Sequence, residues 1–444
     1  MLTSVAPFIV YLLSFPVMLA TVFRVEIGIL YFITFVPIIS VMQKISEFPQ
    51  GNNFADFLLI AIALGWFLKR AKENRSIFER SPVNLVVIAF VLGSTINLIT
   101  GYTYMGFSDY INHIRLMTWK NYMILPFLYF IAINNVEKED FARWIIICIC
   151  LTMLAMDFNF YTTFRWYKGE HYSDAMRISG AFSFLGPNEL GVFYSYMTFL
   201  LLGICYFIED KKIRYFVLLS CACNFYPIVY SFSRAAYSCT FAGFLVLGIL
   251  KDRRLLIVLF ALAVFYRILL PNAVVERIDM TFLEDEQITT ARPYETTAME
   301  VGSVTLDTVG RKELWEKAEN YFKENPLLGI GFNSFRHKEG IITHSLYWKI
   351  LAEQGLLGMM IFIIFSVTIL RQAHKLFRHS TCKLGQGIGL GVFVCTITTL
   401  VGGISGDQSL YYNVMAIYWL FVGIVASFNI RFVTNDRLAK DKRT

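Results

Sequence analysis

Charge is scarce in this sequence. Only 16% of its 444 residues are charged, 56% are hydrophobic, and the mean hydropathy is +0.54. A soluble domain is about a quarter charged, so a single globular core cannot absorb this apolar excess. A second apolar solvent is needed, and lipid supplies it. A disulfide framework is also missing. Cys148, Cys150, Cys205, Cys221, Cys223, Cys239, Cys382 and Cys395 lie almost entirely in apolar runs. None falls in the polar stretch 271–343, where such a framework would sit. Cys221 and Cys223 are separated by one residue, which is not a zinc-knuckle spacing, so all eight read as small packing residues. The start lacks a basic leader and a small-residue cleavage site, so no removable signal peptide is expected. Internal repeats and low-complexity tracts are absent.

What is present is a succession of apolar runs able to span about 30 Å of hydrocarbon. They lie near 5–23, 27–42, 54–68, 83–99, 117–133, 144–161, 185–207, 213–231, 235–250, 255–270, 345–370, 386–403 and 411–428, with Pro16 and Pro37 positioned to break the first two. The pattern predicts an all-α polytopic membrane protein of 12 to 14 crossings. The net charge of +7 comes in clusters: Lys69 to Arg80, Lys211 to Arg214, Lys251 to Arg254, Arg371 to Lys383, and the tail from Arg431. If the runs alternate, all five share one side, which the positive-inside rule makes the cytoplasm. No basic groove with interleaved aromatics accompanies them, which argues against nucleic acid as a partner.

Three divisions follow: a helix bundle over 1–270, an extracytoplasmic loop over 271–343, and closing helices with a cytoplasmic tail over 344–444. The loop is expected to be irregular from Glu284 to Thr308. A helix from about Val309 to Lys323 should follow, capped by Asp307 or Thr308 and ended by Asn325 and Pro326. Leu314, Ala318 and Phe322 would share one face, as on a helix lying along a membrane surface.

Three extracytoplasmic segments carry chemistry. The first runs from Arg177 to Glu189 and includes Gly186, Pro187 and Asn188. The second is Ser231 to Ala236, around Arg234. The third spans Gly310 to Trp315 with Arg311, then Asn325 to Phe335 with Gly329, Gly331 and Asn333, then Thr343 to Tyr347 with His344, and finally Glu353 to Gly358. Arg234, at a membrane boundary, either snorkels to the interface or faces a cavity and an anionic partner. A guanidinium fork suits a pyrophosphate, and Arg177, Arg311 and Arg336 are candidates to converge with it. His344 is either a satisfied structural histidine or a general base near pH 7; His171 and His337 have weaker claims. Asn188 reads first as a cap or turn residue. Asp279, Glu284, Asp285 and Glu286 could suggest a metal, but solvated loop charge is the default, and no metal site or cofactor is expected.

In their combined order, over about 177–358, these segments resemble the bacterial O-antigen ligase/polymerase superfamily of Wzy-type polymerases and lipid A-core ligases. His344 is followed by Ser345 where ligases commonly have Asn, a lean toward a polymerase. The resemblance implies a GT-C-like glycosyltransferase in the bacterial cytoplasmic membrane with its site facing the periplasm. It would polymerise undecaprenyl-pyrophosphate-linked repeat units by an inverting, metal-independent reaction. His344, Arg234 and Arg311 would be catalytic. Arg177, Asn188, Arg336 and Tyr347 would bind pyrophosphate or sugar. Membrane lipid and a chain-length regulator and flippase of the same pathway would be partners. The alternatives are a ligase acting on lipid A-core and, from another class, a lipid-linked oligosaccharide transporter. Transporters usually show internal repeats, which are absent here.

Overall fold

A computed structural model of the chain describes residues 2–38, 48–49, 51–106, 113–182, 186–280 and 310–433. Among the described residues the regular elements are helices, with one isolated bridge between Ser380 and Val433. In chain order they are α1 (Leu2–Phe23), α2 (Val25–Phe35), α3 (Phe54–Lys72), α4 (Pro82–Met105), α5 (His113–Asn135), α6 (Glu139–Phe164), α7 (Pro187–Cys205) and α8 (Lys211–Tyr230). There follow α9 (Arg234–Leu250), α10 (Arg254–Leu269), α11 (Asn272–Asp279), α12 (Gly310–Glu324), α13 (Ser334–Glu339), α14 (Leu346–His379), α15 (Lys383–Gly402) and α16 (Tyr412–Phe432).

Among the described residues, eight helices (α4 to α8 and α14 to α16) are long and apolar enough to cross a membrane, fewer than the 12 to 14 crossings the apolar runs predict. The pair α10 and α11, bent by 111°, makes a ninth if it is one span. Shorter apolar helices run over Phe8–Phe23, Val25–Ile38 and Arg234–Leu250. The protein is an all-α polytopic membrane protein. Pro16 does not break α1, whereas α2 gives way to a 3-10 turn at Pro37.

The connections gather at two ends. At the basic end, Arg70 pairs with Glu79 at 2.9 Å and Glu137 at 3.2 Å, and Arg431 meets Glu137 at 3.1 Å. These contacts join the α3–α4 turn, the α5–α6 turn and the close of α16. The Thr381 N–H donates to the Phe432 carbonyl at 2.8 Å, and Tyr206 donates to Asp252 at 3.3 Å. All five basic clusters therefore belong to helix ends or connections on that side, except for the part of the tail beyond 433, which lies outside the described residues. α7 lies between α8, α9 and α15 and is buried along nearly its whole length. Its Gly203 meets Gly391 of α15 so closely that a Cβ would stand 2.4 Å from the Gly391 Cα, the backbone approach that small residues permit between membrane helices.

At the opposite end, hereafter the loop end, α14 is broken at Gly355, where φ is +61° and ψ is −159°. A break inside a membrane helix leaves backbone groups that need partners. The chain from Pro326 to Phe332 supplies them. Leu356 and Leu357 N–H groups donate to the carbonyls of Pro326 (2.8 Å) and Leu327 (3.1 Å). In return, Ile330 and Gly331 donate to Ala352 and Glu353, both at 2.9 Å, and Phe332 donates to Asn97 of α4 at 3.0 Å. The two halves of the third sequence segment thus clasp one another. α12 packs on this clasp. Leu314 and Ala318 are buried against Ile330, Phe335 and Ala352, with Tyr321 beside them. Tyr321 therefore continues the buried face where the four-residue spacing predicts Phe322. The proposed caps Asp307 and Thr308, and the stretch Glu284 to Thr308, lie outside the described residues.

Candidate active site at the loop end

Gly186 and Pro187 start α7, and Asn188 follows in its first turn. Its side chain does not cap the helix. Asn188 Oδ1 accepts from Arg177 Nη2 at 2.9 Å, so two residues of the first segment meet. Arg177 Nε is buried without a hydrogen-bond partner among the described residues. An unpaired buried guanidinium nitrogen is costly unless something binds it.

The second segment lies one turn along. A Cβ on Gly191 of α7 would stand 2.6 Å from Ser231 Oγ. Ser233 caps α9, accepting from the Ala236 N–H at 3.2 Å, and Arg234 is the first helical residue. The first turns of α7 and α9, with Arg177 and Arg234, thus lie together. Helix N-termini carry partial positive charge and unsatisfied N–H groups, so the electrostatics there favour an anion.

His344 lies two residues before α14 rather than on it. Its φ is +51°. Thr343 and Ser345, on either side, are buried, while His344 is half-buried. The Thr343 carbonyl accepts from Trp315 Nε1 of α12 at 3.1 Å. The Leu346 N–H donates to Gly403 at 2.8 Å and Gly406 at 3.1 Å, docking this segment on the α15–α16 loop. Four non-glycine residues have positive φ among the described residues, and three of them, Phe232, Asn333 and His344, fall in the segments singled out by sequence. Backbone strain of this kind concentrates at functional sites.

Behind His344, Lys349 of α14 forms a buried ion pair with Asp407, whose Oδ1 accepts from Ser409 at 2.8 Å. Tyr411 reports the wider neighbourhood. Burial pushes its hydroxyl pKa up and Asp407 adds to this; Lys349 and Arg336 act the other way, and Glu189 of α7 raises it again. One phenol therefore lies within electrostatic reach of the α7 start, the 403–411 loop, α13 and α14. Arg336 itself is exposed on α13. A cavity of about 80 Å³ extends from here between α4, α14, α15 and α16, lined by Tyr122, Phe332, Lys349, Glu353, Gln408 and Trp419 among others. Ser94 Oγ and Gln408 Nε2 line it as buried polar atoms. The cavity is roomy enough to admit water to them.

Tyr347 is engaged elsewhere. Its hydroxyl donates to the Leu400 carbonyl at 2.7 Å, tying α14 to α15. Arg311 lies in the first turn of α12, but its side chain is outside the described residues. Asp279 is occupied by Arg267 at 3.2 Å and Tyr266 at 2.7 Å. Glu284, Asp285 and Glu286 lie outside the described residues. Among those described, no three His, Cys, Asp or Glu side chains gather as a metal site requires.

Residues 217–363 match the family model described as O-antigen ligase. Over those residues, about a third of the chain, the match supports a likeness to the O-antigen ligase/polymerase superfamily. The match includes Arg234, Arg311, Arg336, His344 and Tyr347 and leaves out Arg177 and Asn188. No curated protein matches the chain. The match supports O-antigen ligase or polymerase activity in general. Sequence reasoning passed over Lys349, Asp407, Glu276 and Arg277. Lys349 carried a signal, since a lysine within an apolar run is a functional candidate by default. Glu276 and Arg277 carried none, being ordinary charges in a polar stretch.

Proposed function

We propose that this protein polymerises polyprenyl-pyrophosphate-linked oligosaccharide repeat units at the outer face of a bacterial cytoplasmic membrane. The observation that carries the reading is the pairing of Arg177 with Asn188 at the start of α7, beside the turn bearing Arg234. Two arginines and two helix N-termini form a ground for a pyrophosphate. In the proposed reaction an acceptor sugar hydroxyl attacks the anomeric carbon of the donor. The bond from that carbon to the pyrophosphate oxygen breaks, and the configuration inverts. His344 takes the hydroxyl proton. Arg177, Arg234 and Arg311 stabilise the departing polyprenyl pyrophosphate, whose developing charge is the place for such groups to act. No metal is required for this neutralisation. Arg336 and Asn188 would contact pyrophosphate or sugar.

A ligase that transfers the glycan to lipid A-core shares this chemistry, and the description of the matching family favours it as the second reading. Purified protein in detergent, given only lipid-linked repeat unit, decides between them. A ladder of longer lipid-linked glycans, reduced at least a hundredfold in His344→Ala, is the expected result. Transfer only after lipid A-core is added would make the protein a ligase. No transfer to either acceptor would shift the weight to a transporter.

A further inference from the structure

α11 lies against two loops at once. Ala273, Val274 and Arg277 are its buried residues. Glu276 holds the segment leading to Arg177. Its Oε2 accepts from the Tyr172 N–H at 2.7 Å, and its Oε1 lies 2.7 Å from His171 Nδ1. Arg277, next in sequence, reaches both loops. Its Cζ lies 5.1 Å from the centre of the Tyr172 ring, and its Nε donates to the Phe232 carbonyl at 3.3 Å. Phe232 has φ +50° and is wholly buried. Bulky side chains avoid that conformation, and it persists only where the surroundings over-determine it. Here the surroundings are the rings of Tyr172 at 5.3 Å and Phe164 at 6.2 Å, with Arg277 on the carbonyl. The next two residues are Ser233, the cap of α9, and Arg234.

We infer that Arg277 is a positioning residue for the anion site: together with Glu276 it locks the turn carrying Arg234 to the loop carrying Arg177 and so sets the spacing of the two guanidinium groups. The inference rests on the reading of those two arginines as the pyrophosphate site. Arg277 is buried with its Nε committed to Phe232, so it acts through Arg234 rather than on the ligand. A pyrophosphate held by two forks is sensitive to their separation, since a misplacement of about 1 Å can cost a hundredfold in rate.

The test uses full-length protein in detergent with Arg277→Met, Arg277→Lys, Arg234→Ala and the Arg234→Ala/Arg277→Met double variant. Amide hydrogen exchange is read first, because it does not depend on activity. Arg277→Met should raise exchange over 171–177 and 231–236 together. A rise in one stretch alone, or in neither, overturns the lock. Arg277→Lys serves as the second variant if Arg277→Met does not fold, and should show the same paired rise in smaller degree. Equilibrium binding of undecaprenyl pyrophosphate is read next. Arg277→Met should weaken it about tenfold, the loss expected for one charge-assisted hydrogen bond, with partial recovery in Arg277→Lys. In the Arg234→Ala background the same change should have no further effect; fully additive losses would make Arg277 a general stability residue. Wild type that fails to bind undecaprenyl pyrophosphate while the paired exchange response holds would sink the pyrophosphate reading and leave the lock standing.

Discussion

Glu353 does the work of two capping residues. It is 1% exposed, and its carboxylate accepts from the N–H of Asn333 at 3.0 Å and of Phe335 at 3.2 Å. Its own carbonyl takes the Gly331 N–H. One side chain thus fixes the start of α13 and the positive φ of Asn333. Glu353→Gln keeps one acceptor oxygen and should cost about 1–3 kcal/mol; Glu353→Ala strands two buried N–H groups and should cost more. Thermal unfolding in detergent measures both, and an alanine variant as stable as wild type would refute the clamp. At this scale the sequence was only half legible. Glu353 stood in a segment flagged by resemblance, but its partners lie 18 and 20 residues back, and local spacing cannot announce a contact of that range. Arg177 and Asn188, eleven residues apart, were both flagged, and the structure supplies their hydrogen bond. Arg277 was hidden because what distinguishes it is the loop it lies under.

Among the elements, α14 departs most from what hydropathy implies. The run 345–370 reads as one continuous span, yet the helix breaks at Gly355. The break is tolerated because Pro326–Phe332 satisfies the exposed backbone, and a hydropathy window over α14 cannot see that segment. A Cβ at Gly355 would stand 2.6 Å from the Leu327 carbonyl, whereas one at Gly340, also at positive φ (+71°), would meet nothing within 4 Å. Gly355→Ala should therefore lose folded protein or more than about 3 kcal/mol, and Gly340→Ala only about 1 kcal/mol, the cost of a left-handed residue alone. Monodisperse yield and unfolding temperature compare the two. Equal effects would mean that strain, and not the close approach of the clasp, sets the glycine. α12 was legible as a helix with the right ends, and Leu314 and Ala318 of its expected face are buried in the clasp, where Tyr321 rather than Phe322 completes that face.

For the whole molecule, alternation of the apolar runs was the strongest message, and the joined ends agree with it. The charges at the basic end were legible as a cluster but not as a lock. Arg70, which read as a loop cation, is 1% exposed and binds Glu79, Glu137 and the Asn134 carbonyl. Arg75 and Arg431 complete the network around Glu137. Burial works to raise the Glu137 pKa, but the hydrogen bond from Arg75 and the charges of Arg431, Arg75 and Arg70 outweigh it, so the carboxyl is held below its ordinary 4.5. A depressed folded value means the stabilisation is complete above about 4.5 and disappears as pH falls through that lower value. Wild type should therefore lose thermal stability more steeply than Glu137→Gln on acidification below pH 4.5. At neutral pH Glu137→Gln should be the less stable by about 1–3 kcal/mol, less than for a fully buried pair because Glu137 is partly solvated. Unfolding temperatures from pH 7 to pH 3.5 give both curves. Parallel curves would show that three helix ends meet at Glu137 without depending on its charge, and that apolar packing between the spans alone holds the basic end together.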